Sequence, residues 1–219
     1  MRILEPMTQL LDPELFLPEP EPATVRYTVI SVDDHLVEPP DMFEGRLPAK
    51  MQARAPKVVV DERGHEVWEF EGNAHYQPGM NAVAGRRPRS YGLEPFRFDQ
   101  MRPGCYDVHE RVKDMDLGGI WAAVNFPSMI TGFCGRVYSA ARDPELGYAT
   151  TRAYNDWMVE EWWQQHTDRL IPLGITGSHE SSKIDGKPIL CGRSGKVTAT
   201  TPRSALRRIS DAAFSGSAR

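Results

Sequence analysis

Residues 29–43 read VISVDDHLVEPPDMF, a segment in which apolar residues precede two adjacent aspartates and a histidine. The apolar and β-branched run RYTVISV, at 26–32, leads directly into Asp33, Asp34 and His35. A run of this kind predicts a strand that is buried on both faces, as in a parallel sheet. We therefore expect two carboxylates and an imidazole at the carboxyl end of a buried strand.

Further along the chain, helices and strands alternate. The segment KVVVDERGHEVWEF predicts a β-hairpin with arms at 57–60 and 66–70 and a turn at Asp61–Gly64, inside a long irregular insertion over 41–105. The later elements are a helix over 107–119 capped by Asp107 and ended by Gly118, a strand over 120–126, a helix starting at 143–145 and a strand over 169–176. The order strand, helix, strand, helix, strand predicts an α/β fold with a parallel sheet and right-handed crossovers.

A strand that ends in paired acids is also typical of phosphate-accepting receiver domains. Such a domain needs a helix directly after the acids, and Pro39 and Pro40 prevent one. It also needs an aspartate at the end of a later strand, whereas the strand IWAAVNF ends in Asn125 and Phe126. A phosphatase of the DxD type is excluded because the second acid would have to be at position 35, which is His35.

The spacing of Asp33 and His35 fits a metal site better than it fits a receiver domain or a phosphatase. Residues i and i+2 of a strand point to the same side, so Asp33 and His35 project together with about 7 Å between their backbones. Their side chains can converge on one divalent ion, while Asp34 points the other way as a cap or an ion-pair partner. Glu38 is either a further ligand, a residue that orients His35 from behind, or an exposed acid in a loop.

The stretch ISVDDHLVEPPDMF resembles the first-strand signature of the amidohydrolase-2 branch of the amidohydrolase superfamily, which includes aminocarboxymuconate-semialdehyde decarboxylase. Many members have HxH there, and others have an acid in place of the first histidine. The segments ERVKDMDLGGIWAAVNFPSM and YNDWMVEEWWQQHTDRLIPLGI resemble the first barrel helix with the second strand, and the second helix with the third strand. The resemblance covers about residues 26–176.

The resemblance implies a partial (β/α)8 TIM-type barrel of about three strands, with a divalent metal, usually zinc, bound by Asp33 and His35. It implies hydrolysis or non-oxidative decarboxylation of a small carboxylated or aromatic substrate. The family adds a histidine and an aspartate from later strands, and no counterpart of these is expected here. Four histidines match no family position and are expected to be ordinary surface residues: His65, His75, His109 and His166. His179 lies too early in the chain to replace the later histidine ligand.

Composition changes near residue 176. The net charge of the chain is −4, but residues 177–219 are +5 and contain one aromatic residue, which leaves −9 for residues 1–176. We expect an extended arm over 1–25, the barrel portion over 26–176, and a disordered or frameshifted tail over 177–219 that resembles no part of the family. The alternative is a non-catalytic, truncated chain that either has no function or acts by associating with a full-length relative.

Several classes of function are excluded or disfavoured. The negative body argues against nucleic-acid and anionic-membrane surfaces, and no apolar run reaches the length of a membrane span. Three widely spaced cysteines without a CxxC pair indicate a reduced, cytoplasmic setting.

Trp162 and Trp163 are adjacent on one helix and are not expected to face the same core, so one of them suggests a contact in a homo-oligomer. The arginines of GRRPRS, at 85–90, suggest a solvated basic loop or a clamp for a substrate carboxylate.

Overall fold

The computed structural model describes residues 12–21, 26–76, 82–92, 95–128, 130–132 and 135–175, and the backbone of 183–184 and 187–188. Its strands are β1 Val29–His35, β2 Lys57–Val60, β3 Glu66–Phe70, β4 Asn73–His75, β5 Ile120–Phe126, β6 Leu170–Pro172, β7 Lys183–Ile184 and β8 Lys187–Pro188. Its α-helices are α1 Ala49–Gln52, α2 Val108–Gly118, α3 Arg136–Ser139 and α4 Pro144–Trp157. A π-helical segment, Met158–Trp163, continues α4, and 3₁₀ turns lie at Pro88–Ser90, Phe98–Gln100 and Pro103–Cys105.

The central sheet is parallel, in the order β1-β5-β6. Val29 pairs with Ile120 and His35 with Phe126, so β1 and β5 end at the same edge of the sheet. The chain is therefore a mixed α/β protein with a parallel sheet, as the alternation of elements predicted. The first strand lies later than predicted, because Asp33 and His35 are inside the paired segment instead of following it.

The burial predicted for β1 is wrong. Val29 and Ile30 are exposed, and Val32 is 71% exposed. The physical reason is the position of β1 at the edge of the described sheet, where it has a neighbouring strand, β5, on one side only. β5 lies in the middle of the sheet, and Ala122 and Ala123 are buried there.

The predicted hairpin is confirmed. β2 and β3 pair antiparallel from Lys57 opposite Glu69 to Val60 opposite Glu66, and β4 adds a third strand that the sequence did not indicate. Gly64 adopts a φ of +79° in the turn, a conformation that favours glycine. The carboxylate of Asp61 accepts backbone hydrogen bonds within this turn, which fixes the loop.

The helix caps follow the sequence with one difference. The carboxylate of Asp107 accepts hydrogen bonds from the first backbone amides of α2, as predicted, and Asp143 does the same for α4. The helix α2 ends one residue later than expected, because Gly119, with a φ of +67°, is the left-handed cap and Gly118 is the last helical residue.

The expectation that Trp162 and Trp163 cannot face one core is wrong. Trp162 is 1% exposed, and the partly buried Trp163 packs against the same core cluster. Both tryptophans lie on the π-helical segment, whose i to i+5 hydrogen bonds give a different side-chain spacing from that of the α-helix the sequence indicated. The adjacent pair therefore gives no support to a subunit contact.

The described part of the N-terminal region packs on the body. Phe16 is 2% exposed and forms an isolated β-bridge with Arg86. Arg86 is itself buried, so this part of GRRPRS is not a solvated loop, and Arg89 pairs with Glu14. Residues 1–11 and most of the tail at 177–219 lie outside the described residues, so the predictions for them stay predictions. No helix in the described part of the chain is long and apolar enough to cross a bilayer.

Candidate metal centre

The last three residues of β1 alternate in exposure, with Asp33 and His35 exposed and Asp34 partly buried. Asp33 and His35 project together, with 3.5 Å between Asp33 Oδ1 and His35 Nε2. Both are accessible, with 82% of the Asp33 side chain and 62% of the His35 side chain exposed. The structure thus places the two predicted ligands side by side at the carboxyl end of a parallel strand, where ligands bind in open α/β sheets.

The ring of His35 is oriented by the loop after β5. Its Nδ1 lies 3.2 Å from the carbonyl oxygen of Pro127, and its ring centroid is 5.5 Å from that of Phe126. A carbonyl oxygen accepts hydrogen bonds and never donates, so this contact places a proton on Nδ1. The Asp33 carboxylate is also an acceptor, but at 3.5 Å from Nε2 it is the more distant of the two. With the proton on Nδ1, the lone pair of the neutral imidazole is on Nε2, the atom that faces Asp33.

Asp34 faces the interior, as predicted. Its carboxylate is bound by Arg111 Nη1 at 3.0 and 3.1 Å. Arg111 also donates to the carbonyl oxygen of His35 at 2.7 Å and, through Nε, to that of Gly104 at 2.5 Å. One guanidinium therefore fixes both the inward acid and the backbone of the histidine. Its position, 77 residues away on α2, had no signal in the sequence.

A second contact continues from Asp34 into the core. The side-chain amide of Asn125 donates to Asp34 at 3.4 Å, and the oxygen of that amide accepts from the indole of Trp162 at 3.1 Å. Asn125 was predicted at the end of its strand, and it is fully buried there. The end of β1 is thus connected by hydrogen bonds to α2, β5 and the π-helical segment.

Glu38 is fully buried, so its interpretation as an exposed loop acid is wrong. The backbone amide of Ser128 donates to Glu38 Oε1 at 2.9 Å, and the Ser128 hydroxyl donates to Glu38 Oε2. Burial raises the pKa of the Glu38 carboxyl above its ordinary value, and the two hydrogen bonds from Ser128 oppose that effect.

Two buried tyrosines near Glu38 were missed by sequence reasoning. Tyr138 and Tyr154 are fully buried, and among the described residues their hydroxyls have no hydrogen-bond partner. Burial raises the pKa of both phenols, and the charge of Glu38 raises it further. Tyr154 lies one turn of α4 before Trp157 and Met158, so its helical spacing contained the signal. Tyr138 lies on the short helix α3, which has no clear pattern.

The remaining described histidines lie in environments that are set by their immediate neighbours or by burial. His109 Nδ1 and His166 Nε2 are 3.0 Å apart on the surface, and burial together with His109 lowers the pKa of His166. His65 stacks on Phe96 with ring centroids 4.2 Å apart. Burial lowers the pKa of His75. His179 lies outside the described residues.

The thiol of Cys105 is buried, and burial raises its pKa to about 11. A thiol with such a pKa is protonated at neutral pH and is a poor nucleophile. Cys134 and Cys191 lie outside the described residues.

The separation of Asp33 and His35 fits two neighbouring ligands of a tetrahedral zinc ion. Ligand atoms about 2.1 Å from zinc are about 3.4 Å apart in a tetrahedral site. The observed separation of 3.5 Å is close to that value without any rotamer change. Within the described part of the chain, no group of three or more histidine, cysteine, aspartate or glutamate side chains is placed to hold a metal ion.

No protein-family model matches the chain. No curated protein matches it either. Among solved structures, the chain aligns with the crystal structure of an amidohydrolase from Mycobacterium avium subsp. paratuberculosis, with a TM-score of 0.49 and 21% sequence identity. The alignment covers 88% of this chain and 48% of that one, so the chain spans about half the length of that protein. A likeness at this level does not show a family.

Proposed function

We propose that this chain forms part of a metal-dependent enzyme of the amidohydrolase type, in which Asp33 and His35 are ligands of a divalent ion, zinc being the first candidate. The observation that supports this proposal is the 3.5 Å separation between Asp33 Oδ1 and His35 Nε2 at the carboxyl end of β1. The sequence resemblance of 26–176 to the amidohydrolase-2 branch supports the same fold, the first three strands of a (β/α)8 barrel.

Each residue around the pair has a definite task in this proposal. Asp33 supplies a carboxylate and His35 a neutral Nε2, the donor types that zinc takes in proteins. Arg111 holds the strand from the inner side by binding Asp34 and the carbonyl oxygen of His35. The rigid backbone leaves the two donors on the accessible face, where a substrate can approach.

A bound divalent ion polarises a substrate oxygen and lowers the pKa of water towards neutrality. Both effects suit hydrolysis of a C–N or C–O bond, or the loss of CO₂ from a carboxylated aromatic compound. We therefore propose a small carboxylated or aromatic molecule as the substrate class.

The test is a zinc titration of the purified, metal-stripped chain by calorimetry, repeated with cobalt to obtain a visible spectrum. We expect a single site, weaker than the three-ligand sites of catalytic zinc because the described residues supply two donors. The variants Asp33→Ala and His35→Gln should each weaken zinc binding by at least about tenfold, the effect of losing about 1.4 kcal/mol of binding.

A matched control is His109→Gln, because it removes a histidine of the surface pair His109–His166, which takes no part in the proposed site. This variant should leave the site unchanged. If Asp33→Ala and His35→Gln bind zinc as well as the wild type does, our ligand assignment is wrong. Release of CO₂ or amine from a panel of aromatic acids and amides, with and without zinc, then tests the reaction class.

A second candidate function, association with a full-length relative or with another copy, is favoured by the edge of the sheet. Tyr27 is 79% and Val32 is 71% exposed beside the β1 backbone. Exposed apolar residues on an edge strand favour pairing with another chain. Light scattering after gel filtration distinguishes the two candidates, since a monomer that binds zinc supports the enzyme and a zinc-free oligomer supports association.

A further inference from the structure

We infer that Glu38 acts through Ser128 as a positioning residue for His35, by holding the Pro127 carbonyl that keeps the imidazole proton on Nδ1 and leaves Nε2 free. The inference rests on the proposed function in one respect, namely that Nε2 is the atom that would bind the metal. The hydrogen bonds themselves are independent of any metal.

The loop after β5 is held on both sides of the Pro127 carbonyl. On one side, the backbone amide of Leu36 donates to the carbonyl oxygen of Phe126 at 3.0 Å, which extends the pairing of β1 with β5. On the other side, Ser128 donates to both carboxylate oxygens of Glu38. The carbonyl of Pro127 lies between these two attachments and faces His35 Nδ1 at 3.2 Å.

A glutamate is a costly residue to bury, and its position needs an explanation. Glu38 is fully buried, and both hydrogen bonds that join its carboxylate to another residue go to Ser128. Two bonds to the same residue fix its orientation as well as its distance, in the way that bidentate contacts do. A single contact would leave Ser128, and with it the preceding carbonyl, free to rotate.

The tautomer is the consequence that matters for function. In free histidine the proton prefers Nε2, so a protein that uses Nε2 as a ligand must hold the proton on Nδ1 by a hydrogen bond from that atom. Metal-binding histidines are commonly oriented by a carbonyl or carboxylate in this way. Here the carbonyl is supplied by Pro127, and Glu38 fixes its place.

The experiment measures the tautomer directly in the metal-free chain. The two ring nitrogens of histidine differ in ¹⁵N chemical shift according to which one is protonated, and His35→Gln assigns the resonances. At a fixed pH where the ring is neutral, we expect the wild type to have the proton on Nδ1. The ratio of tautomers should shift at least about fivefold towards Nε2–H in Glu38→Ala, because the Pro127 carbonyl is no longer held in place and its hydrogen bond with His35 Nδ1 weakens.

Two further variants separate positioning from a merely structural role. Glu38→Gln retains an oxygen for the Ser128 amide and a donor for its hydroxyl, so it should restore the wild-type tautomer. Ser128→Ala keeps the amide contact and loses the hydroxyl contact, so its shift should be intermediate, and it also serves if Glu38→Ala fails to fold. The resonances of His109 and His166 should stay unchanged in every variant.

Two outcomes would overturn the inference. The first is a folded Glu38→Ala variant, or in its absence Ser128→Ala, in which His35 keeps its proton on Nδ1 in the wild-type ratio. The second is a wild type with its proton on Nε2. The proposed function fails separately, if the correct tautomer is present and zinc binding is insensitive to Asp33 and His35.

Discussion

The two sides of β1 place neighbouring acids in opposite environments. Asp34 faces inward, where Arg111 and Asn125 bind its carboxylate. Asp33, the preceding residue, is 82% exposed, and its described contact is with His35. An acid that the fold binds from several directions is used for stability, whereas an exposed acid beside an imidazole is available to a ligand. The comparison therefore indicates a structural role for Asp34 and leaves Asp33 accessible to a ligand.

The largest loss of stability is expected from Asp34→Ala. Arg111 is largely buried, and without its carboxylate partner it retains the carbonyl contacts to His35 and Gly104 while part of its charge is left uncompensated. We expect a loss of about 2 kcal/mol in the free energy of unfolding, below the full penalty of a buried pair because Asp34 is partly exposed. Urea denaturation followed by tryptophan fluorescence measures this loss.

Asp33→Ala is the matched control for that loss. The Asp33 carboxylate is exposed, so its removal should change the free energy of unfolding by less than about 0.5 kcal/mol. Equal losses in the two variants would show that the two sides of β1 do not differ in the way the structure indicates.

Much of this comparison was predictable from the sequence, because a strand has a side-chain period of two. That period places Asp33 and His35 on one side and Asp34 on the other, and the structure agrees. The same local logic predicted the β2–β3 hairpin, the aspartate caps of α2 and α4, and the strand at 120–126. These features depend on residues that are close together in the sequence.

The features that were not predictable depend on long-range contacts. Arg111 is an ordinary charged residue of a helix until the fold brings it to Asp34. Glu38 precedes two prolines and has the composition of a loop, but Ser128 and the core bury it. The exposure of β1 follows from its place at the sheet edge, which a hydrophobic run does not encode. The metal role of Asp33 and His35 stays a prediction.

The buried environment next to the end of β1 can be tested further with the pH dependence of the stability of Glu38→Gln. Burial raises the pKa of Glu38 above its ordinary value of 4.5, so the folded chain binds more protons than the unfolded chain between that value and the raised pKa. The wild type should therefore lose stability as the pH rises through this range. Glutamine does not titrate, so the stability of Glu38→Gln relative to the wild type should increase with pH over the same range.

Urea midpoints at a series of pH values provide the measurement. Asp33→Asn is a suitable control, since it also removes one carboxylate but on the exposed side. A difference between Glu38→Gln and the wild type that is constant with pH would mean that Glu38 is not desolvated as the structure indicates.

The smallest effect on stability is expected from the pair of His109 and His166 at the surface. Burial lowers the pKa of His166 below its ordinary value of 6.5, and the charge of His109 lowers it further, as does Arg169, while Asp168 and Asp116 act in the opposite direction. The unfolded chain then binds more protons than the folded chain below about pH 6.5, so the stability present above that pH decreases on acidification.

The variant His166→Gln should remove this part of the decrease in stability. The effect should be less than about 0.5 kcal/mol between about pH 7 and pH 5, because His166 is only partly buried and solvent screens its charge. His109→Gln should remove a smaller part, since burial is the larger cause and persists without the neighbouring ring. Thermal unfolding at several pH values measures both. If the two variants have equal effects, repulsion within the pair dominates instead of burial. If His166→Gln produces a change as large as that of Asp34→Ala, the surface contributes as much to stability as the inner side of β1, and the comparison fails.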